Sequence, residues 1–127
     1  MNEKVKKELE DICRELIPKF KVSPNSLIND NSIAIWTVIP NDFELSEGFM
    51  REFQDKLNWI TVSRCRKLSD EFIIEFQNKI EFNYYCEYNQ YISENIVRKL
   101  FHKMEIEYLL LNKKLSNNIK NLIKIYQ

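Results

Sequence analysis

The residues able to do chemistry are few and scattered along the chain. Cys65 sits between Arg64 and Arg66, where neighbouring guanidinium groups favour the thiolate. The competing reading, a partly buried thiol on a short helix, is the one the pattern favours. His102 is the only histidine, so a multi-histidine metal site is excluded and one acid–base candidate remains, between Phe101 and Lys103 on an expected exposed face. Glu52, Asp55, Glu75 and Glu81 recur at a repeat spacing, which points to a solvated face and not to a catalytic pair in contrasting environments. Cys13, Cys65 and Cys86 are odd in number and match no zinc or thioredoxin spacing, so reduced thiols acting as core filler are expected. With Gly48 as the only glycine, neither a phosphate-cradling loop nor a dinucleotide fingerprint can form. The inventory predicts a protein that is not an enzyme and that needs no cofactor or metal.

Two other groups of residues suit recognition better than catalysis. One is the tyrosine-rich run Asn83-Tyr84-Tyr85-Cys86-Glu87-Tyr88-Asn89-Gln90-Tyr91. Tyr85 falls on a core position of the repeat set out below, whereas Tyr84, Tyr88 and Tyr91 fall where other units carry polar or small residues such as Thr61 and Cys65. Exposed tyrosines make rigid interface anchors; packing against the next unit is the alternative. The other group is Arg64, Arg66 and Lys67, with Arg51 and Lys56 one helix away, able to meet a phosphate or an acidic partner or to form a solvated charged face.

What must position these residues is a tandem repeat. Leu45 to Leu57 aligns with Leu68 to Ile80 over thirteen positions at a spacing of 23. Extending the register gives units 22–44, 45–67, 68–91, 92–114 and 115–127, the third one residue longer and the last one short. The second position is always serine (Ser23, Ser46, Ser69, Ser93, Ser116), a helix N-cap, and Glu47, Asp70, Glu71 and Glu94 follow where the helix dipole favours acid. Positions 5, 6, 9 and 13 are apolar, as in Phe49, Met50, Phe53 and Leu57, and make one stripe on a three-turn helix. Position 15 (Trp36, Trp59, Phe82, Ile106) and position 18 (Ile39, Val62, Tyr85, Leu109) supply the inner face of a second, shorter helix, with Asn58 placed to cap one of them. Neither stripe can be buried alone, so neighbouring units must stack.

Met1 to Phe20 reads as an amphipathic capping helix, with Val5, Leu9, Ile12 and Leu16 on one face and Pro18 interrupting near its end. Units one and five are degenerate: Ser26 and Asp30 replace the core aromatics in the first, and the fifth keeps one helix. Residues 33–39 are β-branched enough for a strand, while the repeat register places Trp36 on Trp59 and argues for helix; the register is followed here, with a small β-segment as the alternative. The expected fold is therefore all-α, a short α-solenoid-like stack of helix-turn-helix units with an N-terminal helix, in one domain spanning 1–127. Nineteen basic residues balance nineteen acidic ones, which argues against a general nucleic-acid or acidic-membrane binder. The opening Met1-Asn2-Glu3-Lys4 has no signal-peptide core and no run reaches membrane-span length, so a cytoplasmic protein is expected.

The unit Leu45-Ser46-Glu47-Gly48-Phe49-Met50-Arg51-Glu52-Phe53, continuing to Trp59, resembles the Leu-Ser-Glu-Glu-Phe-Ile-Arg-Glu-Phe tandem repeats of bacteriophage, AT-rich bacterial and large DNA virus proteins. Two units match closely and four loosely; Val22 to Glu44 lacks the paired phenylalanines. The resemblance implies helical repeats and a phage or mobile-element source, and no particular activity. The expected function is a non-catalytic protein–protein interaction module, in one concrete version an anti-CRISPR-like inhibitor of a host defence enzyme. Its expected contact residues are Tyr84, Tyr88, Tyr91, Arg64, Arg66 and Arg51. The alternative is a helical repeat that lays its arginines along a nucleic-acid backbone and stacks tyrosines on unpaired bases.

Overall fold

Five serines set the starts of five helices. In the computed structural model, which describes residues 1–29 and 33–127, the hydroxyls of Ser23, Ser46, Ser69, Ser93 and Ser116 accept from the backbone N–H three residues on, at 3.1–3.2 Å. Each such cap is worth about 1 kcal/mol. They open α2 (Pro24–Ile28), α4 (Glu47–Glu52), α6 (Asp70–Glu75), α8 (Glu94–Leu100) and α10 (Asn117–Tyr126). Between them lie α3 (Ile33–Asp42), α5 (Trp59–Cys65), α7 (Phe82–Tyr88) and α9 (Ile106–Leu111), all preceded by α1 (Glu3–Phe20). A 3₁₀ turn, Phe101–Lys103, extends α8. The chain is all-α, with no strand among the described residues; Asp30, one of the two substitutions noted in the first unit, lies outside them.

The first helices are shorter than the three turns expected. α4 and α6 span six residues each and give way to turns at Phe53 and Phe76. Gln54 and Gln77 occupy the same repeat position, and their side-chain amides donate to Arg51 O and Ile74 O at 3.0 Å, satisfying carbonyls that the helix leaves open. The apolar stripe survives this shortening. Phe49, Met50, Phe53 and Leu57 are buried, as are Phe72, Ile73, Phe76 and Ile80, and Ile96, Val97, Leu100 and Met104.

The chain divides into two compact units, residues 1–58 and 59–127. In the first, α1 packs on α2 and α4 through Val5, Leu9, Ile12, Cys13 and Leu16. Pro18 does not end α1; it sits in the last turn, where one hydrogen bond is lost, and the helix runs on to Phe20 before Lys21 closes it at φ 51°. The Glu8 carboxylate of α1 accepts from Ser46 N–H at 2.8 Å and from Ser46 Oγ at 2.6 Å, so the serine that caps α4 is itself held by α1.

Residues 33–39 are helical, the outcome that the repeat register favoured over β-propensity. A propensity difference of under ~1 kcal/mol per residue is outweighed by burying Ile35, Trp36 and Ile39. Trp36 packs on Phe53 with ring centroids 5.4 Å apart, and Phe53 on Phe49 at 4.7 Å. Pro40 lies inside α3 and has no N–H to donate to the carbonyl four residues back. That carbonyl, Trp36 O, accepts instead from Asn58 N–H at 3.3 Å, and the Asn58 side chain donates to Thr37 Oγ1 at 2.9 Å. The proline is therefore accommodated by the segment at the end of the next repeat's first helix.

The second unit is two rows of stacked helices: α6, α8 and α10 in one, α5, α7 and α9 in the other. The first row is tied at its N-termini, where Asp70 accepts from Ser93 Oγ and from the Asn95 amide, both at 2.8 Å. The second row is tied at its C-termini by asparagines. The Asn89 amide, 1% exposed, donates to Ser63 O (2.8 Å) and Arg66 O (2.9 Å), while its oxygen accepts from Tyr91 N–H at 2.8 Å. Asn112 repeats the arrangement, donating to Cys86 O and Asn89 O at 2.9 Å and accepting from Lys114 N–H at 2.9 Å. In both rungs the carbonyls lie 26 and 23 residues before the asparagine. Carbonyls left open at the end of one second helix are thus satisfied by the end of the next. Ser63 adds a third tie: fully buried, it donates to Trp59 O at 2.6 Å and accepts from Glu81 N–H at 3.0 Å.

Candidate functional site

The residues considered for catalysis lie on different elements. His102 lies on the 3₁₀ turn and is exposed; Cys65 is half-buried at the end of α5; Cys13 and Cys86 are buried. Cys65 is thus the partly buried thiol on a short helix that its setting suggested, and only Cys13 and Cys86 are fully core. Among the described residues, no group of three histidine, cysteine or carboxylate side chains could hold a metal ion. No helix among them is long and apolar enough to cross a membrane.

Of the two readings of the tyrosine run, surface exposure and packing on the next unit, the structure has Tyr84, Tyr88 and Tyr91 exposed, although Thr61 at the position of Tyr84 is buried. Tyr85 is 1% exposed, while Tyr84, Tyr88 and Tyr91 are 40%, 54% and 44% exposed. Tyr84 and Tyr88 are one turn apart on α7, and their rings lie side by side with centroids 6.4 Å apart and planes 28° from parallel. Together with Asn83, Glu87 and Tyr108 of α9 they line a cleft of about 320 Å³. Its composition, three aromatic rings with one amide and one carboxylate, gives large rigid contact area and two points for fixing orientation. A hydrogen bond to Glu87 and that carboxylate's charge raise the pKa of Tyr88, with Arg64 acting in the opposite sense. The phenol is therefore held as a neutral donor across the ordinary pH range.

The arginines are less uniform. Arg64 is exposed and close enough to Tyr88 to act on its charge. Arg66 is half-buried and its carbonyl receives Asn89, which gives it a structural part in the second row. Lys67, absent from the expected contact residues, places its Nζ 6.0 Å from the centre of the Tyr91 ring, at the outer limit of a cation–π contact. Arg51 is exposed in the last turn of α4, within the first unit.

Behind the tyrosine face, α7 buries two groups that must stay neutral. Burial, with a contribution from Glu105, pushes the Cys86 thiol from its ordinary 9.0 up to about 12, and burial raises Tyr85 in the same direction. An unfolded chain would release the Cys86 proton near pH 9, whereas the folded chain holds it to about 12. Stability from this group is complete below pH 9 and is lost as pH rises toward 12. Thermal melts followed by circular dichroism are therefore expected to shift down steadily from pH 9 to 11, with a shallower slope in Cys86→Ala. Equal slopes would show that Cys86 does not contribute.

The buried asparagines are the residues that sequence reasoning missed. Asn89 and Asn112 fall on different positions of the repeat register because of the extra residue in the third unit, and asparagine after a helix reads as an ordinary turn. Counting from one asparagine to the other recovers the 23-residue spacing. The molecule that emerges is an all-α protein of stacked helix pairs with a tyrosine-lined surface. No family model, curated protein or solved structure matches the chain.

Proposed function

We propose that this chain is a non-catalytic protein–protein interaction module, with the tyrosine face of α7 and the adjoining Arg64 as its contact surface. The observation that carries this reading is the cleft of Tyr84, Tyr88 and Tyr108, in which two large apolar rings of one helix stay in solvent while their neighbours Tyr85 and Cys86 are buried. Centrally placed tyrosines flanked by arginine are the composition in which binding energy concentrates. The resemblance of the repeat to those of bacteriophage, AT-rich bacterial and large DNA virus proteins supports a phage or mobile-element source and, with it, a host-directed role in the cytoplasm, an inhibitor of a host defence enzyme of the anti-CRISPR kind being the concrete form.

The test is a tagged pull-down from the native cellular background, with and without nuclease, using the wild-type chain and a Tyr84→Ala/Tyr88→Ala variant. One protein enriched after nuclease, and reduced at least tenfold by the double substitution, is the expected result. Both tyrosines are exposed, so the variant should melt within a few degrees of wild type. Enrichment that disappears with nuclease would instead favour a nucleic-acid binder. That rival draws support from Arg64 and Lys67 beside exposed rings and requires steep salt dependence.

A further inference from the structure

The cleft on the tyrosine face is built by a recurrence in the register. Tyr84 and Tyr108 hold the same position of units 68–91 and 92–114, so stacking α9 on α7 brings both to one opening. Tyr88, one turn on from Tyr84, supplies a third ring, and Asn83 and Glu87 line the same space of about 320 Å³. The two helices, with the residues that precede them, carry Glu81, Glu87, Glu105 and Glu107, and neither 80–97 nor 104–112 contains a lysine or arginine. Lys113 and Lys114 follow only after α9 has ended, and Lys114 Nζ lies 3.4 Å from Gln90 Oε1, beyond the C-terminal end of α7. Arg64 acts on Tyr88 from α5 but is not among the residues lining the cleft. Among the described residues no lysine or arginine forms an ion pair with Glu87, Glu105 or Glu107. Glu105 instead hydrogen-bonds Glu107, which with burial and the neighbouring charge raises its pKa. Three electron-rich rings beside a carboxylate that lacks a basic partner make a seat for a cation.

We propose that this cleft receives an arginine side chain of the partner protein, its guanidinium plane against the Tyr84 and Tyr88 rings and its N–H fork on the Glu87 carboxylate, an assignment that rests on the tyrosine face being a protein contact surface. The acidic surroundings select for positive charge, and the shape selects arginine over lysine. The Tyr84 and Tyr88 rings lie 28° from parallel and offer neighbouring faces to a flat group. A guanidinium stacks on such faces, whereas an ammonium is a strongly hydrated point charge. One hydrogen bond from the Tyr88 hydroxyl leaves the Glu87 carboxylate with lone pairs for two parallel N–H bonds, and Asn83 adds an amide oxygen for another.

The full-length protein with isotope-labelled tyrosine is titrated to tens of millimolar with Nα-acetyl-arginine amide and, separately, with Nα-acetyl-citrulline amide, which keeps the shape and loses the charge. Saturable shifts of the Tyr84, Tyr88 and Tyr108 ring resonances are expected with arginine, with affinity about tenfold lower for citrulline. The Tyr126 ring, stacked on Phe101 at 4.2 Å, should not move. Glu87→Gln is expected to weaken arginine binding about tenfold, and Tyr84→Ala/Tyr88→Ala to abolish the shift of Tyr108. The citrulline comparison uses the wild-type chain and so needs no variant to fold. Absence of saturable shifts, equal responses to arginine and citrulline, or arginine binding unchanged by Glu87→Gln would overturn the proposal. So would shifts produced by inorganic phosphate in place of arginine and lost in Arg64→Ala, since these would assign the cleft to an anion. A captured partner that is lost with Tyr84→Ala/Tyr88→Ala but kept with Glu87→Gln, alongside no response to arginine, would leave the tyrosine face as a contact surface and remove the arginine from it.

Discussion

Replacing Asn89 with aspartate is expected to destabilise the second unit by about 4 kcal/mol at pH 7, more than replacing it with alanine, although aspartate is the closer match in shape. The site needs donors. Two carbonyls, Ser63 O and Arg66 O, lie 2.8 and 2.9 Å from the amide nitrogen, and a carboxylate would place an acceptor and a negative charge against them at the C-terminal end of α5. Alanine leaves the same carbonyls unsatisfied without adding charge, at a cost of about 2–3 kcal/mol. The two variants also differ in pH response. The carboxyl group introduced by Asn89→Asp would have a raised pKa in the folded state, so its destabilisation should shrink as pH falls from 7 toward 4, the reverse of ordinary acid denaturation. Urea titrations at pH 7 and pH 5 measure this. Aspartate and alanine variants of equal stability at both pH values would show that the amide is not holding α5 to α7.

Phe72→Ala should cost about 3–5 kcal/mol. Phe72 is 0% exposed and belongs to a three-ring cluster, with Phe76 at 4.6 Å and Trp59 at 6.1 Å, while Trp59 also stacks on Phe76 at 5.4 Å. Because the cluster joins α6, the turn that follows it and α5, its neighbours can close the cavity only by moving a whole helix. Tyr84→Ala removes a ring of similar size from a solvent-exposed site and should stay within about 0.5 kcal/mol of wild type. Denaturant titration of the two variants side by side gives the comparison. A Phe72→Ala loss below about 1 kcal/mol would mean that the rings touch without sharing a packed core.

The sequence was most informative where one physical requirement recurs at one spacing. All five serines cap helices because each helix start has the same unsatisfied N–H groups, and positions 5, 6, 9 and 13 of units two to four are buried because each stripe faces the same neighbour, whereas at position 15 only Trp36 is buried and Trp59, Phe82 and Ile106 are half-exposed. Helix lengths were less legible. The stripe continues through Phe53 and Leu57 whether or not the backbone is helical there, and the glutamines that close α4 and α6 look like any polar surface residue. For residues 33–39, β-propensity and repeat register disagreed, and the structure shows in addition a proline, Pro40, inside the helix. The compensating donor, Asn58 N–H, comes from outside the segment and could not be read within it. In the candidate site, the repeat positions left the exposure of Tyr84, Tyr88 and Tyr91 open: Thr61, which shares the position of Tyr84, is buried, while Tyr84 itself is 40% exposed. The part played by Tyr108 was not legible either, because it depends on how α9 lies beside α7.

The pairing of Glu8 with Ser46 has a consequence for how such a chain changes over generations. Glu8 belongs to a long helix with no repeat signature, yet it grips Ser46, which leads the second unit, as Asp70 of the third unit grips Ser93 of the fourth. The N-terminal helix thus presents the same acidic handle that a preceding repeat would present, and any serine-led unit offers it the same hydroxyl and N–H. Duplication or loss of a whole unit leaves that seat intact, since the cap recognises the serine that leads every unit. Copy number is then a quantity that inheritance can alter in one step, lengthening or shortening the array without redesigning its beginning.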